Sequence, residues 1–135
     1  VLLNYCMRFY GRQFATRRME SNDILIRFER ILSDYFDRDE QIEHGLPNVQ
    51  MCAKRLALSP NYFSDLIKRA TGERPHEHIQ RFLIERVKKE LTERNKSISE
   101  IAYGLGFNYT HHLSRLFKKV TGMTPTEYVV ALNLK

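Results

Sequence analysis

The stretch SDLIKRATGERPHE (64–77) returns fifty positions further on as SRLFKKVTGMTPTE (114–127). Ser, Leu, Lys, Thr, Gly, Pro and Glu coincide, where the ~5–7% frequency of a common residue type predicts about one match in such a window. The neighbours agree in kind: Phe63 with Leu113, Ile67 with Phe117, Arg69 with Lys119. Upstream, V..CA..LAL (49–58) matches I..IA..LGF (98–107) at an offset of 49, so the second copy carries one extra residue before its second helix. Each copy reads as a short helix, a tight turn and a second helix that stops at a Thr-Gly pair. That is a helix-turn-helix, written twice.

Helical periodicity divides each second helix into a back and a front. Phe63, Leu66, Ile67 and Ala70 form one apolar stripe, and Leu113, Leu116, Phe117 and Val120 form the other. The opposite stripes hold Asn61, Ser64, Asp65 and Lys68, and His111, Ser114, Arg115 and Lys118. Small hydrogen-bonding side chains on an exposed helix suit base edges in a major groove, and lysines suit phosphates. The sharpest disagreement between the copies, Asp65 against Arg115, falls on this front. Arg115 is assigned to base or phosphate contact. For Asp65 an intrahelical pair with Lys68 or Arg69 competes with readout of a cytosine amine.

The punctuation is helical throughout, with neither strand alternation nor a hairpin turn. The expectations are a helix over about 2–17 and a second one N-capped by Ser21 that buries Ile24, Phe28, Ile31, Leu32 and Tyr35. A loop follows over DRDEQIEHGLPN (37–48), broken by Gly45 and Pro47. Ser59-Pro60 opens a helix that stops at Gly72, and Arg74-Pro75 opens a longer one to about Thr92. Ser97…Glu100 and Thr124…Glu127 are capping boxes, and Gly106 is a turn. Along the long helix the apolar face turns from Ile79, Phe82 and Leu83 to Ile84, Val87 and Leu91, as expected of a connector that packs against two bodies. At 1.5 Å per residue its roughly 18 residues span about 27 Å. Successive major grooves on one face of B-DNA recur every ~34 Å, so two recognition helices on such a rod could share one DNA face.

The net charge of +6 is unevenly spread: residues 1–48 carry 7 basic and 8 acidic side chains, and residues 49–135 carry 15 and 8. The excess lies in the part that contains the repeat, which favours a polyanion as partner. Apolar runs are far too short to span a membrane, and no signal peptide is visible. With Val1 in place of Met, the expectation is that the chain is a piece of a longer one. Cys6 and Cys52 lie among apolar neighbours and read as buried free thiols, which fits a reducing cytoplasm. The pairs His76/His78 and His111/His112 are not spaced to place two ligands on one helix face, so no metal and no cofactor is expected. Tyr103, Tyr109 and Tyr128 are assigned to packing.

The words LALSPNYFSDLIKRATG (56–72) and ISEIAYGLGFNYTHHLSRLFKKVTGMTPTEY (98–128) resemble the AraC/XylS family of transcription regulators. The resemblance covers about residues 24–132 and implies an all-α domain of two helix-turn-helix units joined by a long connector helix. It divides the chain into a helical connector (1–20) and a DNA-binding domain (21–135), with helix-turn-helix units at about 49–72 and 98–122 around a connector helix at 75–92. It implies sequence-specific binding to double-stranded DNA near promoters, commonly as an activator with RNA polymerase as a partner. Carried over residue by residue, the base-facing positions are Asn61, Ser64 and Asp65 in the first unit and Thr110, His111, Ser114 and Arg115 in the second. Ser59, Lys68, Lys118 and Lys119 are assigned to phosphates. Residues 2–14 resemble the helix that follows a sensor domain in some members, and this segment is the candidate for homodimerisation. Two readings compete with the regulator: a nonspecific architectural DNA binder, and the DNA-targeting module of a repair enzyme, which would need an activated cysteine.

Overall fold

The computed structural model describes residues 2–93 and 96–133, with side chains from residue 20 onward. Among the described residues there are eight helices and no strand. They are α1 (Leu2–Asp37), α2 (Glu40–His44), α3 (Val49–Arg55), α4 (Pro60–Thr71), α5 (Pro75–Glu93), α6 (Ile98–Gly104), α7 (Thr110–Thr121) and α8 (Pro125–Asn133). The chain forms two compact units. One comprises residues 1–31 and 49–75, and the other 32–48 and 76–135.

In the first unit, α3 and α4 make the first helix-turn-helix. Phe28 of α1 meets Phe63 of α4 edge-on at 5.0 Å between ring centroids. Ile24, Cys52, Ala53, Leu66 and Ile67 are buried as well. Ser59 caps α4 by accepting the Tyr62 N–H at 3.2 Å, with Pro60 at the first helical position where its missing N–H costs nothing. The turn after α3 is a Schellman closure: the Leu58 N–H donates to Ala53 O at 2.9 Å and the Ala57 N–H to Lys54 O at 3.0 Å. It requires a left-handed residue, and Ala57 adopts φ 57°.

In the second unit, the turn between α6 and α7 repeats this Schellman closure, although α7 begins without a side-chain cap. The Phe107 N–H donates to Ala102 O at 3.0 Å and the Gly106 N–H to Tyr103 O at 3.2 Å, with Gly106 at φ 97°. The Thr-Gly stops are equally alike. Thr71 Oγ1 donates to Ile67 O at 2.8 Å and accepts the Glu73 N–H at 3.1 Å; Thr121 Oγ1 donates to Phe117 O at 2.7 Å and accepts the Met123 N–H at 3.2 Å. A hydroxyl that both donates and accepts bridges the helix end to the chain beyond the glycine, which explains why Thr-Gly recurs rather than Gly alone. Ser97 and Thr124 cap α6 and α8, and at α8 the cap is reciprocal: Glu127 N–H to Thr124 Oγ1 at 3.2 Å, Thr124 N–H to Glu127 Oε2 at 3.4 Å.

Several expectations change. Ser21 is not an N-cap: α1 runs unbroken from Leu2 to Asp37, and Ser21 is buried within it. No proline interrupts this stretch, and a mid-helix serine costs only about half a kcal/mol, too little to end a helix that has something to pack against. Residues 37–48 are not simply a loop. They hold α2 between Asp39 at φ 57° and Gly45 at φ 78°. The Tyr35 hydroxyl donates to Gly45 O at 2.6 Å, which ties the end of α2 back to α1. Val120, assigned to an apolar back, is 39% exposed, and Leu116 is half-buried, so the back of α7 rests on Leu113 and Phe117.

The turning face of α5 has visible partners within the second unit. Phe82 stacks on Phe36 of α1 at 5.9 Å, and Arg86 lies over both rings while pairing with Asp37 at 3.2 Å. Two residues beyond Arg86, Lys88 lies 6.0 Å from the ring of Tyr128 in α8. Ile84 and Val87 are fully buried.

Candidate nucleic-acid interface

The fronts of α4 and α7 carry the residues singled out in the sequence. On α4, Asn61, Asp65 and Lys68 are exposed and Ser64 is half-buried, with Phe63, Leu66 and Ile67 buried behind them. On α7, His111, Arg115, Lys118 and Lys119 are exposed and Ser114 is half-buried, in front of Leu113 and Phe117. Each helix thus has an anchored back and a polar front within its own unit. Asp65 forms no ion pair with Lys68 or Arg69 among the described residues, so its carboxylate is open to solvent and to a ligand. Arg115, Lys118 and Lys119 are likewise unpaired there. A cation already neutralised by a carboxylate gains less from a phosphate, so these three keep their full charge for a polyanion.

Two assigned residues have structural duties of their own. The Ser59 oxygen caps α4, which leaves only its O–H to donate to a phosphate. The Thr110 hydroxyl donates to Ser99 Oγ of α6 at 3.2 Å, which turns it to the flank of the helix rather than its front. Ser114 Oγ lies 3.4 Å from Thr110 O, a weak backbone contact.

The sequence reading missed an aromatic group at the entrance of α7. Tyr103 and Tyr109 were assigned to packing, yet they are 56% and 57% exposed; Tyr128 is half-buried against Phe117 at 5.5 Å. Tyr109 takes the N-cap position with no side-chain cap and stacks on His111 at 5.5 Å and 21° between planes. His112 meets His111 edge-on at 4.4 Å. Tyr109 immediately before a run of polar residues was the available signal: a residue at a helix entrance lies beyond the buried back.

Metal and nucleophile chemistry have little to work with. Among the described residues no group of three or more His, Cys, Asp or Glu is placed to hold a metal ion. Cys52 is a free, buried thiol, and burial pushes its pKa up to about 12 against the smaller opposing pull of Arg55. It is therefore protonated, and inert as a nucleophile, at neutral pH. The other thiol, Cys6, lies outside the described side chains. Among the described residues no helix is long and apolar enough to cross a membrane.

Two matched helix-turn-helix units with open polar fronts define a DNA-binding class of fold. The profile of the helix-turn-helix domain family matches residues 52–130, and the chain belongs to this family in its AraC-type form. It is 31% identical over 132 residues to the transcriptional regulatory protein YesN of Bacillus subtilis (strain 168), covering 90% of this chain and 34% of that one. It is 33% identical over 76 residues to a putative AraC-like transcription regulator of Streptomyces lividans, covering 56% of this chain and 25% of that one. Among solved structures it resembles the C-terminal domain of AraT, a response regulator from Geobacillus stearothermophilus. The TM-score is 0.68 at 25% identity, over 80% of this chain and 84% of that one. The chain therefore spans between a quarter and about a third of the length of these two relatives.

Proposed function

We propose that this chain is the DNA-binding part of a transcription regulator that reads double-stranded DNA in a sequence-specific way. α4 and α7 each enter a major groove, in successive turns of the same duplex. Asn61, Ser64 and Asp65 face bases in one, and His111, Ser114 and Arg115 do so in the other. Thr110 supports its helix from the flank. Ser59, Lys68, Lys118 and Lys119 bind phosphates. The regulator acts in the cytoplasm as an activator in contact with RNA polymerase, and residues 1–20 form the connector through which two copies pair.

The observation that carries this reading is the pairing of identical scaffolds with different fronts. The Schellman turns and Thr-Gly bridges coincide bond for bond, while Asp65 faces outward where Arg115 does in the repeat. A nonspecific binder gains nothing from a carboxylate in the middle of a surface that meets phosphates. A protein that discriminates sequence does, because an acceptor selects for a cytosine amine and rejects competing acceptors.

The test is selection of double-stranded DNA from a random library by residues 1–135. Two unlike short blocks about one helical turn apart are expected. Salt-sensitive binding with no enriched motif would replace this reading with the architectural one.

A further inference from the structure

The two helix-turn-helix units differ in one respect that their shared sequence hides. In the first, the left-handed turn residue is Ala57, and it is exposed. In the second it is Gly106, and a Cβ there would lie 3.0 Å from Gly45 C and 3.2 Å from both Gln41 O and Leu46 N. The backbone of α2 and of the two residues after it is thus pressed directly onto the turn that leads into α7. Gln41, 6% exposed, adds a directed bond: its Nε2 donates to Gly104 O, the last residue of α6, at 3.0 Å. The far end of this segment is held by Tyr35 through Gly45 O. Beside these contacts lies an open cavity of about 620 Å³ between α2 and the turn, with His112 of α7 on its wall.

We propose that the 40–46 segment is a brace that sets the position of α7, with Gln41 as its positioning residue, so that this segment tunes recognition without touching DNA. The claim that DNA is what α7 presents to rests on the function proposed above. At the corresponding turn before α4 the left-handed residue, Ala57, is exposed, so the effect is expected in one half of the site.

The discriminating variant is Gln41→Met in residues 1–135. It removes the donor to Gly104 O together with Gln41 Oε1, a buried acceptor that has no partner. The two losses offset each other, so thermal stability stays close to that of the parent while the directed bond is gone. Two readouts decide. Amide exchange at Gly106, Phe107 and the first turn of α7 should accelerate about fivefold or more, with the α4 amides unchanged, as expected for losing one part-buried hydrogen bond. On the DNA selected by the parent chain, base discrimination should fall in the half that Arg115→Ala also weakens, and persist in the other half. Unchanged exchange around Gly106, or an equal loss in both halves, overturns the brace. If no DNA motif is selected at all, the functional reading fails, and the exchange measurement still decides whether the segment positions α7.

Discussion

Gly106 and Ala57 occupy the same place in the repeat, and exchanging their side chains should move stability in opposite directions. In Gly106→Ala the new methyl meets two costs. The backbone sits at φ 97°, where an L-residue is disfavoured by about 1–2 kcal/mol. The Cβ also arrives 3.0 Å from Gly45 C, with Gln41 O and Leu46 N at 3.2 Å. These are backbone atoms that cannot rotate aside, and such overpacking costs about 1–3 kcal/mol. The sum is about 2–5 kcal/mol of destabilisation, and near 4 °C per kcal/mol for a chain of this size it lowers Tm by ~8–20 °C. In Ala57→Gly the residue is exposed, so only the left-handed strain changes; its relief exceeds the extra entropy of an unfolded glycine by about 0.5 kcal/mol, a small rise in Tm. Urea melts followed by far-UV circular dichroism measure both. Because the chain has two units, residue-resolved hydrogen exchange assigns each effect, and only the second unit should loosen in Gly106→Ala. A Gly106→Ala variant within about 0.5 kcal/mol of the parent would refute the close approach of the 40–46 backbone. Equal losses in both variants would refute the asymmetry between the two turns.

Other outcomes follow from the same geometry. Arg115→Ala should relax base preference in one half of the selected site, worth about 1–3 kcal/mol of discrimination, whereas Lys118→Ala should weaken all sequences alike and reduce the salt slope by about 1, both read from binding isotherms at several salt concentrations. Ser59→Ala removes the hydroxyl that accepts the Tyr62 N–H and should cost about 1 kcal/mol in a urea melt, while Tyr109→Ser supplies the cap that α7 lacks and should stabilise by a similar amount. Cys52 titrates near 9.0 when unfolded and at about 12 when folded, so its contribution to stability is intact below pH 9 and lost as pH rises towards 12. In a Cys6→Ser background, Cys52 should resist a thiol reagent at neutral pH until urea exposes it, and rapid labelling of the native chain would show that the thiol is not buried.

Much of this molecule is legible one segment at a time. Ser59-Pro60, the Thr-Gly pairs and the Thr124…Glu127 box each satisfy backbone groups within a few residues of themselves, so the letters alone place these helix ends. The apolar backs of α4 and α7 follow from period alone, which is why Phe63, Leu66, Ile67, Leu113 and Phe117 are buried as expected. The same reasoning fails where period meets a helix end. Val120 lies on the correct angle and still faces solvent, and Tyr109, at the entrance of α7, stands outside the core.

What the sequence by itself determines is the duplicated scaffold and the polar surfaces it displays. Local hydrogen bonds and helical spacing encode both, and a fifty-residue echo makes them visible. Tertiary structure decides the remainder. Ser21 has the chemistry of a cap, and only packing along α1 makes it an interior residue. Gln41 sits in a charged run that reads as a loop, and its partner Gly104 is 63 positions away. Gly106 resembles any turn glycine until the backbone of Gln41, Gly45 and Leu46 is found against it. A contact between two backbones leaves no periodicity and no side-chain signature in either segment, so the close approach at the turn of the second unit appears only when the chain is folded.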